Sequence, residues 1–87
     1  MQSLDFVTRY KAIRNSSSGF IKRADIRAYI FERDDYACRG CGCKEKLTVD
    51  HILSVYMAAK GKFPLSQLNT ADNLQTLCST CNERKIP

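Results

Sequence analysis

The sequence contains no tryptophan, and it has only two prolines, four glycines and one histidine in 87 residues. No apolar run approaches the ~18 residues of a membrane span. The first fifteen residues, MQSLDFVTRYKAIRN, lack the apolar stretch of a signal peptide. We therefore expect a cytoplasmic protein. Thiols stay reduced in that compartment, and paired cysteines there bind metal more often than each other.

The length predicts a single domain with a small hydrophobic core. Leu, Ile, Val and Phe are modestly represented, so apolar burial alone should leave the fold marginally stable. Chains of this size commonly add disulfides or a structural metal. Five cysteines supply candidate ligands for such a metal.

The formal net charge of +5 favours a polyanionic partner. Most of the excess lies in residues 1–33, which hold seven Lys/Arg against three Asp/Glu. One Zn²⁺ with four thiolates would lower the total to about +3. Many basic proteins never touch nucleic acid, so charge alone does not decide the function.

Hydrophobic periodicity and breaker residues predict four helical segments and two short strands. A strand through FVTRY is an alternative to the first helix, and NSSSG has the composition of a loop. The predicted segments are helix 4–14, loop 15–19, helix 22–33, strand 46–52, helical turn 54–60, strand 73–78 and a last helix from about residue 79.

Two CxxC units, Cys38/Cys41 and Cys78/Cys81, are separated by 36 residues. A two-residue gap lets both sulfurs of a tight turn reach one ion, and four thiolates complete the tetrahedron of structural zinc. Redox-active or merely buried cysteines are the alternatives. Cys43 could replace Cys38 or Cys41 as a ligand, but the symmetry of the two CxxC units favours Cys38 and Cys41. Cys43 is then expected to be a free, partly buried thiol.

The only histidine, His51, follows Asp50 at the end of the run LTVDHI. Asn73 follows a long loop, and Asn82 comes directly after a CxxC unit. The chain resembles the HNH nuclease family over roughly residues 30–85. The resemblance rests on three segments in this order, FERDDYACRGCG, LTVDHI and ADNLQTLCSTCNERK. Any one of these segments would be a weak signal, whereas the ordered set is a strong one.

The resemblance implies an α+β fold, in which a ββα-metal unit surrounds one divalent cation beside the four-cysteine zinc site. It implies that His51 is the general base, that Asp50 and Asn82 bind the catalytic ion, and that Asn73 fixes the loop and orients His51. The family often has histidine where this chain has Asn82. An amide oxygen is a hard ligand that suits Mg²⁺ or Mn²⁺. The plain alternatives are a turn role for Asp50, a turn or cap role for Asn73 and a solvent-facing Asn82.

Phosphodiester hydrolysis agrees with these residue types. A neutral imidazole can take a proton from water near pH 7, and a metal can bind a non-bridging oxygen and the leaving 3′-oxygen. The expected products carry a 5′-phosphate and a 3′-hydroxyl. Adjacent strand residues point to opposite faces, so the strand must end or twist at Asp50 and His51 if both are to reach one phosphate.

The sequence thus predicts a bacterial or phage-encoded, zinc-stabilised endonuclease that acts on DNA, which we expect to be double-stranded. A helical extension (residues 1–33) would pack on a nuclease core (residues 34–87). The alternatives are a non-catalytic zinc-knuckle module that binds nucleic acid and a fragment of a larger enzyme. Basic side chains that suit phosphate contacts, or equally a solvated surface, are Lys60, Lys62, Arg84 and Lys85, together with Arg23 and Arg27.

Overall fold

The computed structural model describes residues 4–85, in which four α-helices accompany one two-stranded sheet. Two 3₁₀ turns, Leu65–Gln67 and Ala71–Asn73, precede the second strand. The predicted α+β class with a ββα unit is confirmed. The elements are α1 (Leu4–Ile21), α2 (Ala24–Arg33), β1 (Leu47–His51), α3 (Val55–Ala59), β2 (Leu74–Cys78) and α4 (Ser79–Arg84).

The strands β1 and β2 are antiparallel, with Leu47 opposite Cys78 and His51 opposite Leu74. Val49 and His51 are buried, whereas Thr48 and Asp50 are half-buried, so burial alternates along β1 as expected for a strand. Because the alternation has a period of two, the side chains of Asp50 and His51 leave the sheet on opposite faces.

Helices α2 and α4 cover opposite faces of this sheet. Ile30 of α2 packs against Val49 and Leu74 in the larger buried cluster. On α4, the Asn82 amide donates to Thr48 Oγ1 at 3.0 Å. Since Thr48 and Val49 are neighbours in β1, the two helices must lie on different sides. The sheet therefore has an α2 face, which bears His51, and an α4 face, which bears Asp50.

Helix α1 extends seven residues beyond its predicted end, so the predicted loop over residues 15–19 is wrong. Ser17 is buried in the middle of this segment. Phe20 and Ile21 pack against the core cluster at the end of the helix. Burial of these apolar side chains outweighs the weak helix propensity of a run of serines. The alternative strand through residues 6–10 is also wrong.

Helix α3 anchors the other half of α1. The Tyr56 ring of α3 lies 5.9 Å from the rings of both Phe6 and Tyr10, in edge-to-face geometry. Ser54 caps α3, since its hydroxyl accepts a hydrogen bond from Met57 N at 3.2 Å. Among residues 4–85, no helix has both the length and the apolar character needed to cross a membrane.

Arg33 and Asp34, at the end of α2, join the helical segment to the sheet. Arg33 donates to the carbonyls of Ala71 and Leu74 at 2.8 and 2.7 Å. The fully buried Asp34 side chain accepts hydrogen bonds from Arg33 and from Thr76 N, all at 2.9 Å. These contacts cross between residues 1–33 and 34–87, and the division of the chain at this point stays a prediction.

The Asp34 carboxylate is held in its ionised form. Burial raises the pKa of Asp34, but hydrogen bonds from Arg33, Thr76 and Arg39 outweigh burial, so the net pKa lies below its ordinary value. Ionised Asp34 therefore stabilises the fold above the pKa of the unfolded chain, about 3.9. That stabilisation is lost as the pH falls through the lower folded-state pKa.

We expect Asp34→Asn to lower the free energy of unfolding by about 3 kcal/mol. This is the low end of the range for breaking a buried ion pair, because Arg33 and Arg39 still reach water. Urea titrations should show a constant difference from wild type between pH 7 and 5 that narrows below about pH 4.

Asp25→Asn is the matched control, because Asp25 pairs with Arg23 at the surface. Exposed ion pairs contribute little to stability, so this variant should unfold close to wild type. An equal loss in the two variants would contradict a special role for Asp34.

Candidate active site and cysteine cluster

Four cysteines meet at the end of the sheet where β1 begins and β2 ends. The sulfurs of Cys38, Cys41, Cys78 and Cys81 all lie within 4.8 Å of one another. Cys41 Sγ and Cys78 Sγ are 3.7 Å apart. A tetrahedral zinc with Zn–S bonds of about 2.3 Å requires sulfurs about 3.8 Å apart. The cluster is thus compatible with a structural zinc site.

Glycines shape the turn that carries Cys38 and Cys41. Gly42 has a φ of +81°, and its N–H donates to Cys38 O at 2.8 Å. A Cβ atom at Gly40 would lie 3.1 Å from Cys81 Sγ. Gly42 therefore needs the left-handed backbone that glycine adopts without strain, and Gly40 needs the small size of glycine.

Clustering shifts the pKa values of Cys38 and Cys81 in opposite directions. Burial raises the pKa of Cys38, but backbone N–H groups of Cys78, Cys41 and Gly40 outweigh burial and lower it to about 6. The neighbouring thiols of Cys38, Cys41 and Cys78 raise the pKa of Cys81 to about 12. A bound dication would compensate the like charges of four thiolates.

Cys43 lies outside the cysteine cluster found in residues 4–85. Its sulfur accepts a hydrogen bond from Glu45 N at 3.4 Å. The side chain is exposed rather than partly buried as expected, because the turn that ends at Cys43 leaves it on the outer surface. Cys43 is a free thiol in contact with its own loop.

Asp50 and Asn82 lie on the α4 face of the sheet. Asn82 Nδ2 donates to Thr48 Oγ1, which itself donates to Leu77 O at 2.8 Å. Thr48 and Asp50 are two residues apart in β1 and share this face. Within residues 4–85, no hydrogen bond reaches Oδ1 of Asn82. Asp50 is therefore a strand residue rather than a turn residue, and Asn82 faces the sheet.

Two side chains already contact the Asp50 carboxylate. Lys85 Nζ lies 2.7 Å from Asp50 Oδ2 and also contacts His51 O. Gln75, directly opposite Asp50 on β2, donates to the same carboxylate oxygen at 3.2 Å. A cation is thus already present at the carboxylate that the sequence predicts to be a metal ligand.

His51 is the last residue of β1, and only 7% of its surface is exposed. Its ring nitrogen Nε2 lies 2.8 Å from Asn69 Oδ1. Burial is the main cause that lowers the pKa of His51, while Asn69 and Asp50 act in the opposite direction and Lys85 acts with burial. The imidazole is therefore neutral near pH 7, as a proton acceptor must be.

Asn73 holds the two ends of the long loop together. Its Oδ1 accepts from Leu53 N at 2.8 Å, and its Nδ2 donates to Leu53 O and Leu68 O at 3.1 and 2.9 Å. Its backbone carbonyl accepts from Ile52 N. Asn73 is buried and does more than terminate a turn. Its hydrogen bonds to Ile52 and Leu53 fix the backbone that directly follows His51.

The predicted phosphate contacts occupy different environments. Lys62 and Arg84 are exposed, whereas Lys60 lies over the Phe6 ring at 4.9 Å and Lys85 is paired with Asp50. Of the two additional arginines, Arg23 pairs with Asp25 and Arg27 lies over the Phe31 ring at 5.1 Å.

Sequence reasoning missed three residues next to the predicted site, Asn69, Gln75 and Thr48. Gln75 and Thr48 become predictable once the strand register is known, because each shares a face with Asp50. Asn69 follows a 3₁₀ turn in the long loop, and no periodic pattern connects it to His51. Only the folded loop brings the two side chains together.

Comparison with known proteins agrees with this arrangement. A family model described as HNH endonuclease matches residues 38–86, more than half of the 87-residue chain. A search of curated proteins gave no match, and a search of solved structures gave none. The match includes both CxxC units, both strands and α4. This chain belongs to the HNH endonuclease family.

Proposed function

We propose that this protein is a metal-dependent DNA endonuclease that hydrolyses phosphodiester bonds to 5′-phosphate and 3′-hydroxyl ends. The observation that carries the proposal is the position of Asp50 and Asn82 on one sheet face, with His51 next in the strand. In this proposal the phosphate lies beyond the end of β1. Asp50 would reach it from the α4 face of the sheet and His51 from the α2 face. The family match supports nuclease chemistry independently.

The donor atoms on the α4 face fit a hard divalent cation. Asp50 supplies a carboxylate, and Asn82 supplies an amide oxygen to which residues 4–85 donate no hydrogen bond. Oxygen ligands of this kind suit Mg²⁺ or Mn²⁺. When bound, the ion would act as a Lewis acid on the phosphate and the leaving oxygen. Lys85 and Gln75 both contact Oδ2 of Asp50, so Oδ1 is the oxygen that we assign to the ion.

His51 takes the proton of the attacking water in this proposal. Its buried ring is neutral near pH 7, and β1 and Asn69 hold it in place. A fixed imidazole avoids part of the entropic cost of orienting a base. Asn73 keeps the loop beyond His51 closed without taking part in the proton transfer.

Structural zinc completes the proposal, with Cys38, Cys41, Cys78 and Cys81 as its ligands. The ion would tie the loop before β1 to the start of α4, the helix that carries Asn82. The zinc ligand Cys78 lies opposite Leu47 at the start of β1, whereas Asp50 and His51 are the last two residues of that strand. Zinc would therefore support the geometry of the catalytic site without contacting substrate. In the same layout, the chain divides into an extension (residues 1–33) and a nuclease core (residues 34–87), with α1 and α2 packed on the core.

A plasmid-cleavage assay tests the proposed activity. Zinc-loaded protein without added divalent ions should leave supercoiled plasmid intact, and Mg²⁺ or Mn²⁺ should start cleavage. Ligation of the products, and their labelling by a kinase only after phosphatase treatment, would identify 5′-phosphate and 3′-hydroxyl ends. No cleavage by folded protein with any divalent ion would leave the non-catalytic nucleic-acid-binding module as the function.

We expect DNA affinity to depend steeply on salt, because separate basic side chains would contact phosphates. Four neutralised phosphates would give a slope of log K against log salt of about −3.6. Lys62→Ala and Arg84→Ala should each reduce the slope by about 1. Fluorescence anisotropy with duplex and single-stranded DNA, without divalent ions, measures both the slope and the preferred strand form.

Arg23→Ala is the matched control for the salt dependence. Its guanidinium is engaged by Asp25 through two hydrogen bonds, so its removal should leave the slope unchanged. A nearly flat dependence for the wild-type protein would contradict the electrostatic account.

A further inference from the structure

The contact between His51 and Asn69 places a hydrogen-bond acceptor on one particular nitrogen of the imidazole. Asn69 Oδ1 lies 2.8 Å from His51 Nε2, and an amide oxygen can only accept. With the amide in this orientation, Nε2 carries the hydrogen. A neutral imidazole has one N–H, so the lone pair is left on Nδ1.

The backbone around Asn69 is firmly held. Leu68 is buried, and its carbonyl accepts from the Asn73 amide at 2.9 Å. On the other side, Thr70 Oγ1 donates to Gln67 O at 2.9 Å. The backbone is therefore fixed on both sides of Asn69. A side chain on a fixed backbone can hold the His51 ring in one orientation.

We propose that Asn69 is a positioning residue that fixes His51 in the Nε2–H tautomer and leaves Nδ1 as the atom that accepts a proton. The part concerning catalysis rests on the proposed function of His51 as the base. The tautomer itself does not, since it rests on the contact and on the orientation of the Asn69 amide. Among residues 4–85, Asn69 is the side chain that hydrogen-bonds to this ring.

The competing arrangement is a rotated amide. If the Asn69 side chain turns by 180°, its NH₂ group donates to Nε2, and the ring hydrogen moves to Nδ1. The two arrangements use the same pair of residues and predict opposite tautomers. A measurement of the tautomer therefore decides between them.

Long-range ¹H–¹⁵N NMR spectra of the zinc-loaded protein measure the tautomer directly. His51 is the only histidine in the chain, so its imidazole signals need no assignment. At a pH at which the ring is neutral, we expect a protonated Nε2 and an unprotonated Nδ1. A protonated Nδ1 would overturn the proposal whatever the cleavage activity.

Two substitutions at Asn69 separate positioning from packing. Asn69→Asp keeps an acceptor at Nε2 and should retain the tautomer and most of the cleavage rate. Asn69→Leu has a similar size without an acceptor. It should give a mixture of tautomers and lower kcat by about 10–100-fold, with little change in KM. Equal tautomers and equal kcat in all three proteins would refute a positioning role.

Gln67→Ala is the control for general damage to the loop, because Gln67 is exposed and only two residues away. It should match wild type in tautomer and rate. If His51→Ala proved as active as wild type while the Nε2–H tautomer was observed, the proposed general base would fail and the positioning of the ring would stand.

Discussion

Replacement of Cys78 or Cys81 by serine should abolish the folded state at neutral pH. Within residues 4–85, the two hydrophobic clusters each contain only three buried residues, so the core is small. Structural zinc in peptides of this kind supplies about 10–16 kcal/mol, comparable with the whole stability of about 5–15 kcal/mol of an ordinary domain. Loss of one thiolate should therefore leave too little free energy to order the sheet and α4.

Cys43→Ser is the matched control, since Cys43 is an exposed cysteine five residues after Cys38 and outside the cluster. Native mass spectrometry should show one zinc per chain in wild type and in Cys43→Ser, and none in Cys78→Ser or Cys81→Ser. Circular dichroism should show folded protein only in the first two. Absence of zinc from reduced, freshly purified wild type would refute the zinc site, and its loss in Cys43→Ser would change the ligand set.

The two strands and the cysteine cluster were largely predictable because their signals are local. LTVDH and LQTLC have the composition of short strands, and Cys78 and Cys81 stand where the second strand turns into a helix. Metal-ligand spacing predicts a tertiary contact, which secondary-structure propensity does not. Two CxxC units can bind one ion only if their turns lie together in the fold. The structure brings those four sulfurs together.

The end of α1 was not predictable from local composition. Three serines and a glycine in residues 15–19 favour a loop, but Phe20 and Ile21 beyond them pack on the core. Because α1 continues through the serines, Phe20 and Ile21 reach the core cluster. The same limit applies to Asp34, whose partners Arg39 and Thr76 come from other segments.

The sequence assigns residues to a candidate catalytic site but gives no geometry for it. The motif points to Asp50, His51 and Asn82, but it does not indicate that Lys85 contacts Asp50 or that Asn69 contacts His51. Lys85 lies 35 residues from Asp50, and only the packing of α4 on the sheet brings the two together. Contacts of this kind depend on the tertiary fold, so the sequence pattern does not contain them.

His51→Ala should lower the rate of DNA cleavage by about 10²–10⁴, the usual contribution of a positioned general base. The variant should keep its zinc and still bind DNA, because His51 belongs neither to the cysteine cluster nor to the exposed basic side chains. Single-turnover cleavage of plasmid DNA with Mg²⁺ or Mn²⁺ measures the loss. Zinc content, circular dichroism and anisotropy with DNA establish that the variant is otherwise intact.

Asp50→Ala is the comparison that separates the base from the metal ligand. Loss of the carboxylate should weaken binding of the divalent ion, so excess Mn²⁺ should restore part of the activity. The same excess should not restore His51→Ala, because added metal does not replace a missing proton acceptor. Equal cleavage by wild type and His51→Ala, with contaminating nucleases excluded, would remove His51 from the mechanism. Rescue of both variants by Mn²⁺ would instead place His51 among the metal ligands.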